Sequence, residues 1–264
     1  MKIRKIAAIA ASLLLAASVA ACSGDKKDDS KATDTTTAAE NAASDVEGTL
    51  TVYAAASLNK AFPDIAKAFN EKYPKVKVEF NFAGSSTLVE QMQGGAKADV
   101  FASADVKNME KVPDLVPSPE VFTSNTLRLV VPKGNPAKVT GLDSLEGIKF
   151  VVCVPQVPCG NLTGQVKEAL KFEYTAVSEE LKVTDVLAKV ETGQGDAGFV
   201  YITDAMGGNV DIVDVPDLTK YGTDYMIGTL KDSENADLAK EFMDMVTGEK
   251  GQEILKGYGF GKDA

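Results

Sequence analysis

The sequence contains no histidine and no tryptophan among its 264 residues. The absence of histidine removes the side chain that most often serves as a general base and as a metal ligand. Positive charge is also scarce, with 28 Lys and Arg against 38 Asp and Glu, for a net charge of −10. Nucleic-acid partners require basic patches that neutralise phosphates. The composition therefore argues against a nucleic-acid partner and against imidazole chemistry.

Cysteine is rare as well, and the first of the three follows an apolar run. Lys2, Arg4 and Lys5 precede a 16-residue apolar run from Ile6 to Ala21. A membrane-spanning helix needs about 20 apolar residues, so residues 1–21 are predicted to be a signal peptide. The sequence Val19-Ala-Ala-Cys22 resembles a bacterial lipoprotein box, which implies cleavage before Cys22 and a lipid on its sulfur. The alternative is an ordinary signal peptide with an incidental cysteine.

The segment that follows the signal peptide lacks aromatic and large aliphatic residues from Ser23 to Asp45. Such a segment cannot bury enough apolar area to offset the entropy of ordering. Residues 22–47 are therefore expected to form a disordered tether that carries a folded body outside the cytoplasm. The acceptor for the lipid is Cys22, and the lipid anchor is the only membrane attachment expected.

The body of the chain alternates between two hydrophobic periods. Period-two segments predict strands, and segments of period three to four predict helices. This alternation indicates an α/β fold with mostly parallel sheets. The two halves of the body share the rhythm, which favours two lobes joined by crossings at 127–131 and 225–230. Strands are predicted at 49–54, 76–82, 99–103, 127–131, 149–154, 197–201, 212–215 and 225–230, and helices at 57–73, 88–93, 164–172, 183–191 and 236–256.

Serine stands twice where a strand gives way to a helix, at Ser57 and at Ser85. Ligands of open α/β sheets bind beyond the carboxyl ends of the strands, where such helices begin. A helix N-terminus offers unpaired N–H groups and about half a positive charge, and hydroxyls add neutral donors. The pattern predicts an anion site that needs no lysine or arginine. Simple N-capping is the alternative for each serine.

Two further observations leave alternatives open. Ser57-Leu-Asn-Lys60 is a Ser-x-x-Lys pattern, as in penicillin-binding proteins, where the lysine activates the serine. Those acyl-transfer enzymes also require a Lys-Thr/Ser-Gly strand, which this chain lacks. Tyr201 ends a predicted strand, so its phenol points towards the same cleft or belongs to the rim or core.

Five segments of the chain resemble segments of the periplasmic molybdate-binding proteins and occur in the same order. The resemblance extends over residues 48 to 262. The resemblance implies a two-lobed type II periplasmic-binding fold, with each lobe a mostly parallel sheet flanked by helices and a ligand cleft between the lobes. The implied lobes are 48–126 plus 226–264, and 127–225. The segments are Tyr53-Ala-Ala-Ala-Ser-Leu58, Phe82-Ala-Gly-Ser-Ser-Thr-Leu88, Ala98-Asp-Val-Phe-Ala-Ser-Ala-Asp105, Ala197-Gly-Phe-Val-Tyr201 and Gly251-Gln-Glu-Ile-Leu-Lys-Gly-Tyr-Gly-Phe260.

The resemblance also implies the ligand set. Hydroxyl donors map onto Ser57, Ser85 and Tyr201, and backbone donors map onto Cys159 and Val183. By the same resemblance, these residues are expected to bind molybdate or tungstate through its oxygens, with no direct metal ligand, no cofactor and no catalytic residue. The implied partner is an ABC permease, and the protein is expected to be monomeric. Cys153 and Cys159 replace an acidic and a small residue of the family, and they form either a disulfide or two reduced thiols.

The donor set bears on which anion is bound. A fully deprotonated tetrahedral dianion presents only acceptors, whereas phosphate near neutral pH carries a proton that would stay unpaired, at a cost of about 1–3 kcal/mol. Donor-only chemistry thus favours molybdate, tungstate or sulfate over phosphate. The alternatives are a sulfate-binding or other oxyanion-binding protein of the same fold. A ferric-iron site would need tyrosine pairs or carboxylates, and no such cluster stands out.

Overall fold

The computed structural model describes residues 45–261 of the chain. The predicted signal peptide, the lipidation residue Cys22 and most of the predicted tether lie outside this range. No helix within the described range has both the length and the apolar character needed to cross a bilayer.

Strands and helices alternate along the described range. The strands are β1 (Glu47–Ala55), β2 (Lys75–Ala83), β3 (Val100–Ser103), β4 (Glu120–Pro132), β5 (Phe150–Cys153), β6 (Ala176–Glu180), β7 (Ala197–Tyr201), β8 (Val210–Val213) and β9 (Gly222–Thr229). The α-helices are α1 (Ala61–Lys72), α2 (Ser85–Gln93), α3 (Val106–Met109), α4 (Pro158–Leu170), α5 (Val183–Glu191), α6 (Ile202–Met206), α7 (Ala236–Thr247) and α8 (Glu249–Gly257). Short 3-10 helices occupy Ala56–Leu58, Leu142–Ser144 and Pro216–Lys220.

The strands pair in the order β2-β1-β3-β9-β4-β7-β5-β6, and β8 also pairs with β4. Strands β1, β2 and β3 are parallel to one another, and so are β5, β6 and β7. We call the part built on β1–β3 with α1–α3, α7 and α8 the first half, and the part built on β5–β8 with α4–α6 the second half. The antiparallel strands β4 and β9 join the halves.

This arrangement is the expected mixed α/β fold, with helices flanking a curled sheet. The predicted lobe boundaries, 126/127 and 225/226, fall inside β4 and β9. They remain a prediction.

Each half has a hydrophobic core of its own. Helix α1 shows how the sequence builds the first, because Phe62, Ile65 and Phe69 recur on one face and are fully buried. The ring of Phe62 meets that of Phe242 edge to face, with centroids 6.1 Å apart. Full burial of such side chains contributes about 1.5–3 kcal/mol each. The second core is gathered around β5 and β7, with Phe150 and Phe199 in contact.

Four of the five predicted helices have different bounds in the structure: the helix expected at 57–73 is a 3-10 turn followed by α1, and the one expected at 88–93 begins at Ser85. The other two differ more. The helix expected at 164–172 begins at Pro158, because proline at the first helical position loses no hydrogen bond. The helix expected at 236–256 is two helices, α7 and α8, which separate at Gly248. Gly248 is extended (φ −75°, ψ 171°), and a Cβ there would lie 2.8 Å from the Asp244 carbonyl oxygen. The chain therefore turns at this glycine.

Candidate ligand-binding site

The carboxyl ends of strands from both halves meet at one cavity. Strand β2 leads into α2, β5 into α4 and β6 into α5, so three helices begin there. The cavity encloses about 220 Å³ of empty space, part of it open to solvent. It is lined by all five residues predicted to bind the ligand: Ser57, Ser85, Cys159, Val183 and Tyr201.

Ser57 lies in the 3-10 helix that follows β1, and its side chain is buried. Its Oγ is 2.7 Å from the hydroxyl oxygen of Tyr225. Ser85 is the first residue of α2 and is also buried. Its Oγ accepts a hydrogen bond of 3.0 Å from the backbone N–H of Ala104, so its own hydroxyl hydrogen is not used in that bond. A hydroxyl that accepts on one side is left with a donor for a ligand on the other.

Tyr201 ends β7 and is 1% exposed. Its hydroxyl oxygen is buried and has no hydrogen-bond partner in the structure. Burial raises the pKa of Tyr201 well above its ordinary value, and the charges of Tyr225, Asp105 and Asp204 act in the same direction. The phenol therefore remains a neutral donor at the cavity wall. An unpartnered buried hydroxyl costs about 1–3 kcal/mol, a cost that an acceptor in the cavity would remove.

Two backbone donors come from helix starts in the second half. Cys159 is the second residue of α4, and Val183 is the first residue of α5. Amides at these positions have no acceptor one turn earlier in their own helices. The positive ends of the two helix dipoles add to the attraction for an anion.

The first turn of α4 is held against the end of β5. Cys153 and Cys159 form a disulfide, with their Cα atoms 5.8 Å apart. Pro158 stands at the first helical position. A Cβ on Gly160 would lie 1.9 Å from the carbonyl oxygen of Val154, so only glycine permits this approach. The covalent link and the close contact fix the position of the Cys159 amide.

The halves touch closely beside the cavity at Gly84. A Cβ on Gly84 would lie 2.3 Å from the backbone oxygen of Leu181 and 3.2 Å from Cγ1 of Val157. Gly84 belongs to the first half, whereas Leu181 and Val157 belong to the second. The absence of a side chain at Gly84 thus allows the two halves to approach.

Two buried carboxyl groups, those of Asp105 and Asp204, act electrostatically on the Tyr201 phenol at the cavity wall. Asp204 in α6 is buried, and its Oδ2 has no hydrogen-bond partner in the structure. Burial raises the pKa of Asp204 from 3.8 to about 7, against the opposing effects of Lys60 and of backbone hydrogen bonds. Its charge also acts on the Tyr201 phenol. An ionised Asp204 would repel an anion in the cavity, and a protonated one would not.

Among the described residues, no hydrogen bond joins the Ser57 hydroxyl to the Lys60 ammonium group of the Ser-x-x-Lys pattern. Within the described range, the hydroxyl of Tyr225 is the hydrogen-bond partner of Ser57 Oγ. The Lys60 ammonium lies beside Gly207, where a Cβ would be 2.2 Å from Nζ. A nucleophilic serine needs its base within hydrogen-bond reach.

Sequence reasoning missed two polar residues behind Ser57. Asn125 on β4 and Tyr225 on β9 are both buried, and the Asn125 amide donates to the Tyr225 hydroxyl over 3.2 Å. Asn125 lies two residues before the apolar run of β4, which begins at Leu127, and Tyr225 opens a predicted strand. The sequence signal that could have identified them is a polar residue at or just before the start of an apolar strand.

Known proteins resemble this chain in sequence and in fold. A model of the family described as bacterial extracellular solute-binding protein matches residues 50–261. The chain is 42% identical to the molybdate-binding protein ModA of Mycobacterium tuberculosis over 233 residues, which are 85% of this chain and 89% of that protein. It is also similar to the solved periplasmic molybdate-binding protein of Azotobacter vinelandii, with 21% identity, a TM-score of 0.65, and 80% and 98% of the two chains covered. The sulfate-binding protein SubI of M. tuberculosis shares the fold at 16% identity, with a TM-score of 0.68 and 81% and 86% coverage.

Proposed function

The chain belongs to the family of bacterial extracellular solute-binding proteins, and from this premise we propose that it captures molybdate for delivery to an ABC permease. Proteins that share 42% identity with it over 85% of its length are named for molybdate binding. Tungstate carries the same charge and the same four acceptor oxygens, so we include it in the proposal. Binding takes place outside the cytoplasm, as in the family.

The observation that carries the proposal is the buried, unpartnered hydroxyl of Tyr201 in a cavity where other donors converge. Hydroxyls of Ser57, Ser85 and Tyr201, with the amides of Cys159 and Val183, form a set of neutral donors. A dianion without a proton offers only acceptors, so each donor finds a partner. Charge-assisted hydrogen bonds of this kind are the strong ones, at about 1.5–3 kcal/mol each.

Capture requires no chemical step. The serine of the Ser-x-x-Lys pattern has a phenol as its recorded partner, and the family consists of binding proteins. We therefore propose that the protein is not an enzyme. We also propose that lobes 48–126 plus 226–264 and 127–225 close on the anion, with β4 and β9 as the crossings. Differential binding to the closed arrangement would drive that closure.

Four further parts of the proposal concern the chain's setting. Residues 1–21 direct export, Cys22 carries the lipid and residues 22–47 hold the body away from the membrane. The protein acts as a monomer. Radiolabelled palmitate should enter the expressed protein and should not enter its Cys22→Ser variant. Equal labelling of both would contradict the anchor without touching the ligand.

Isothermal titration calorimetry of Tyr201→Phe tests the ligand proposal. The wild type should bind molybdate and tungstate, with weaker binding of sulfate and hydrogen phosphate. Loss of one charge-assisted bond of about 1.5–3 kcal/mol should weaken molybdate binding roughly 10- to 150-fold. The free energy of unfolding without ligand should stay equal or rise by about 1 kcal/mol, because an unpaired buried hydroxyl has been removed.

Tyr258→Phe is the matched control for this experiment. The Tyr258 hydroxyl donates to Asp64 at the surface, and Tyr258 does not line the cavity. The control should bind molybdate as the wild type does. Sulfate binding that is tighter than molybdate binding in the wild type would move the protein to the sulfate-binding alternative, which the SubI likeness supports. Wild-type protein that binds no oxyanion would refute the proposal.

A further inference from the structure

A chain of hydrogen bonds leads from the joining strands to Ser57. Asn125 pairs with Thr223 across β4 and β9, and Tyr225 pairs with Thr123, so Asn125 and Tyr225 are diagonal neighbours two residues out of register. Side chains in that relation lie on the same face of an antiparallel pair and can reach each other. The Asn125 amide nitrogen is 3.2 Å from the Tyr225 oxygen, which is 2.7 Å from Ser57 Oγ.

The direction of the first bond is set by the backbone. The N–H of Thr126 donates to Oδ1 of Asn125 over 3.0 Å, so Oδ1 is the amide oxygen that faces β4's own backbone. The Asn125 NH₂ group is then the one that faces Tyr225, and it also donates to Oγ1 of Thr203 over 2.8 Å. An amide NH₂ group donates and does not accept. Tyr225 must therefore accept from Asn125.

The direction of the second bond follows from the first. Burial raises the pKa of Tyr225, so the phenol keeps its proton. Tyr225 is fully buried, and among the described residues Ser57 Oγ is the acceptor within hydrogen-bond distance of that proton. If Ser57 donated to Tyr225 instead, the phenol hydrogen would be buried without a partner at a cost of about 1–3 kcal/mol. Tyr225 therefore donates to Ser57.

We propose that Asn125 and Tyr225 are positioning residues that fix Ser57 as a hydrogen-bond donor towards the bound oxyanion, an inference that rests on the proposed function. Ser57 Oγ receives a hydrogen bond from the protein side, and its own hydrogen is left for the cavity. Ser85 Oγ likewise receives a hydrogen bond from the protein, donated by the Ala104 amide, and its own hydrogen is left for the cavity. The protein thus sets the direction of both serine hydroxyls before the ligand arrives, which lowers the ordering cost of binding.

A positioning role predicts that Tyr225 acts through Ser57 and not through the fold. Tyr225→Phe keeps the ring and its edge-to-face contacts with Phe122, Tyr201 and Phe260, and it removes only the hydroxyl. Molybdate affinity should fall about tenfold, since Ser57 loses the bond that orients and polarises it. In a Ser57→Ala background the same substitution should change affinity less than about twofold.

The Ser85→Ala background supplies the matched control. Ser85 lines the same cavity but receives its hydrogen bond from Ala104, so Tyr225→Phe should still cost about tenfold there. A purely structural role of Tyr225 would lower affinity by the same factor in all three backgrounds. That outcome would overturn the inference while leaving molybdate binding by the wild type, and hence the proposed function, intact.

Neutron diffraction of the deuterated, ligand-free protein measures the bond directions themselves and needs no variant to fold. The deuteron of Tyr225 should lie between its oxygen and Ser57 Oγ, and the ND₂ group of Asn125 should face Tyr225. A deuteron on Ser57 directed at Tyr225 would overturn the inference. A wild type that binds no oxyanion would defeat the proposed function, and with it the role in binding, whatever the measured directions.

Discussion

The close approach of the two halves at Gly84 makes the effect of a single methyl group predictable. Gly84 has φ −61° and ψ 141°, a conformation that alanine adopts without strain. The consequence of Gly84→Ala is therefore steric and not conformational. The added Cβ would lie 2.3 Å from the Leu181 oxygen, so the two backbones must part by about 0.7 Å to reach even 3.0 Å.

Under the proposed closure of the lobes on the anion, the steric cost of that separation falls on the closed arrangement alone. Overpacking of this kind costs about 1–3 kcal/mol, which corresponds to a loss of molybdate affinity of roughly 5- to 150-fold. The same proposal has the halves stand apart without ligand, so the free energy of unfolding should then stay equal or rise by about 0.4–1 kcal/mol through the lower entropy of the unfolded chain. The substitution should thus weaken binding without destabilising the protein.

Calorimetric titration with molybdate and thermal unfolding with and without molybdate measure the two effects separately. Gly164→Ala is the control, because a Cβ on Gly164, within α4, would meet no atom within 4 Å. This control should bind molybdate within about twofold of the wild type. Gly84→Ala protein that also binds within twofold would refute the reasoning, since the halves would then not need to approach as closely as they do here.

Three further predictions concern other residues of the site. Ser85→Ala leaves the buried Ala104 N–H without an acceptor, so chemical unfolding should show a loss of about 1–3 kcal/mol without ligand, and unchanged stability would contradict the bond. Because the folded pKa of Asp204, about 7, exceeds its unfolded value of about 4, the native protein binds more protons between these pH values and loses stability as pH rises through them. Asp204→Asn should therefore gain up to about 4 kcal/mol on the wild type at pH 8 and little at pH 4, and a pH-independent difference would count against this. Replacing Cys153 and Cys159 by serine should lower the free energy of unfolding by about 2 kcal/mol, given the short loop they close; a stability insensitive to reductant would contradict it.

The parts of the fold that depend on local pattern could be predicted from the sequence. The alternation of strands and helices places Ser57 and Ser85 at strand-to-helix junctions, and such junctions gather at one edge of a parallel sheet. That is why Ser57 and Ser85, remote from each other in sequence, could be assigned from the pattern to one cavity, which they line together in the structure. Cys159 and Val183 were assigned only through the family resemblance. Their roles in binding remain predictions.

The pairing of β4 with β9 depends on contacts between segments that are distant in sequence. Only the first part of β4, residues 120–126, pairs with β9. The sequence predicted β4 from residue 127 because that is where its strongly apolar run begins. The hydrogen bond between Asn125 and Tyr225 depends on the register of these strands, which no local sequence pattern specifies. The start of α4 at Pro158 and the break at Gly248 depend instead on neighbouring residues, since a Cβ on Gly160 would meet the Val154 oxygen and one on Gly248 the Asp244 oxygen, and the hydrophobic pattern does not show these contacts.

The two ends of the described chain lie in the same half. Strand β1, which begins at Glu47, and helix α8, which ends at Gly257, contribute to one hydrophobic core together with Phe260. Immobilising the protein on a surface through either terminus would hold the first half and leave the second unrestrained. A fluorophore attached at the exposed residue Ile212 on β8 would then move relative to the surface whenever the second half rotates against the first. The topology therefore suits the protein to use as a surface-mounted anion sensor.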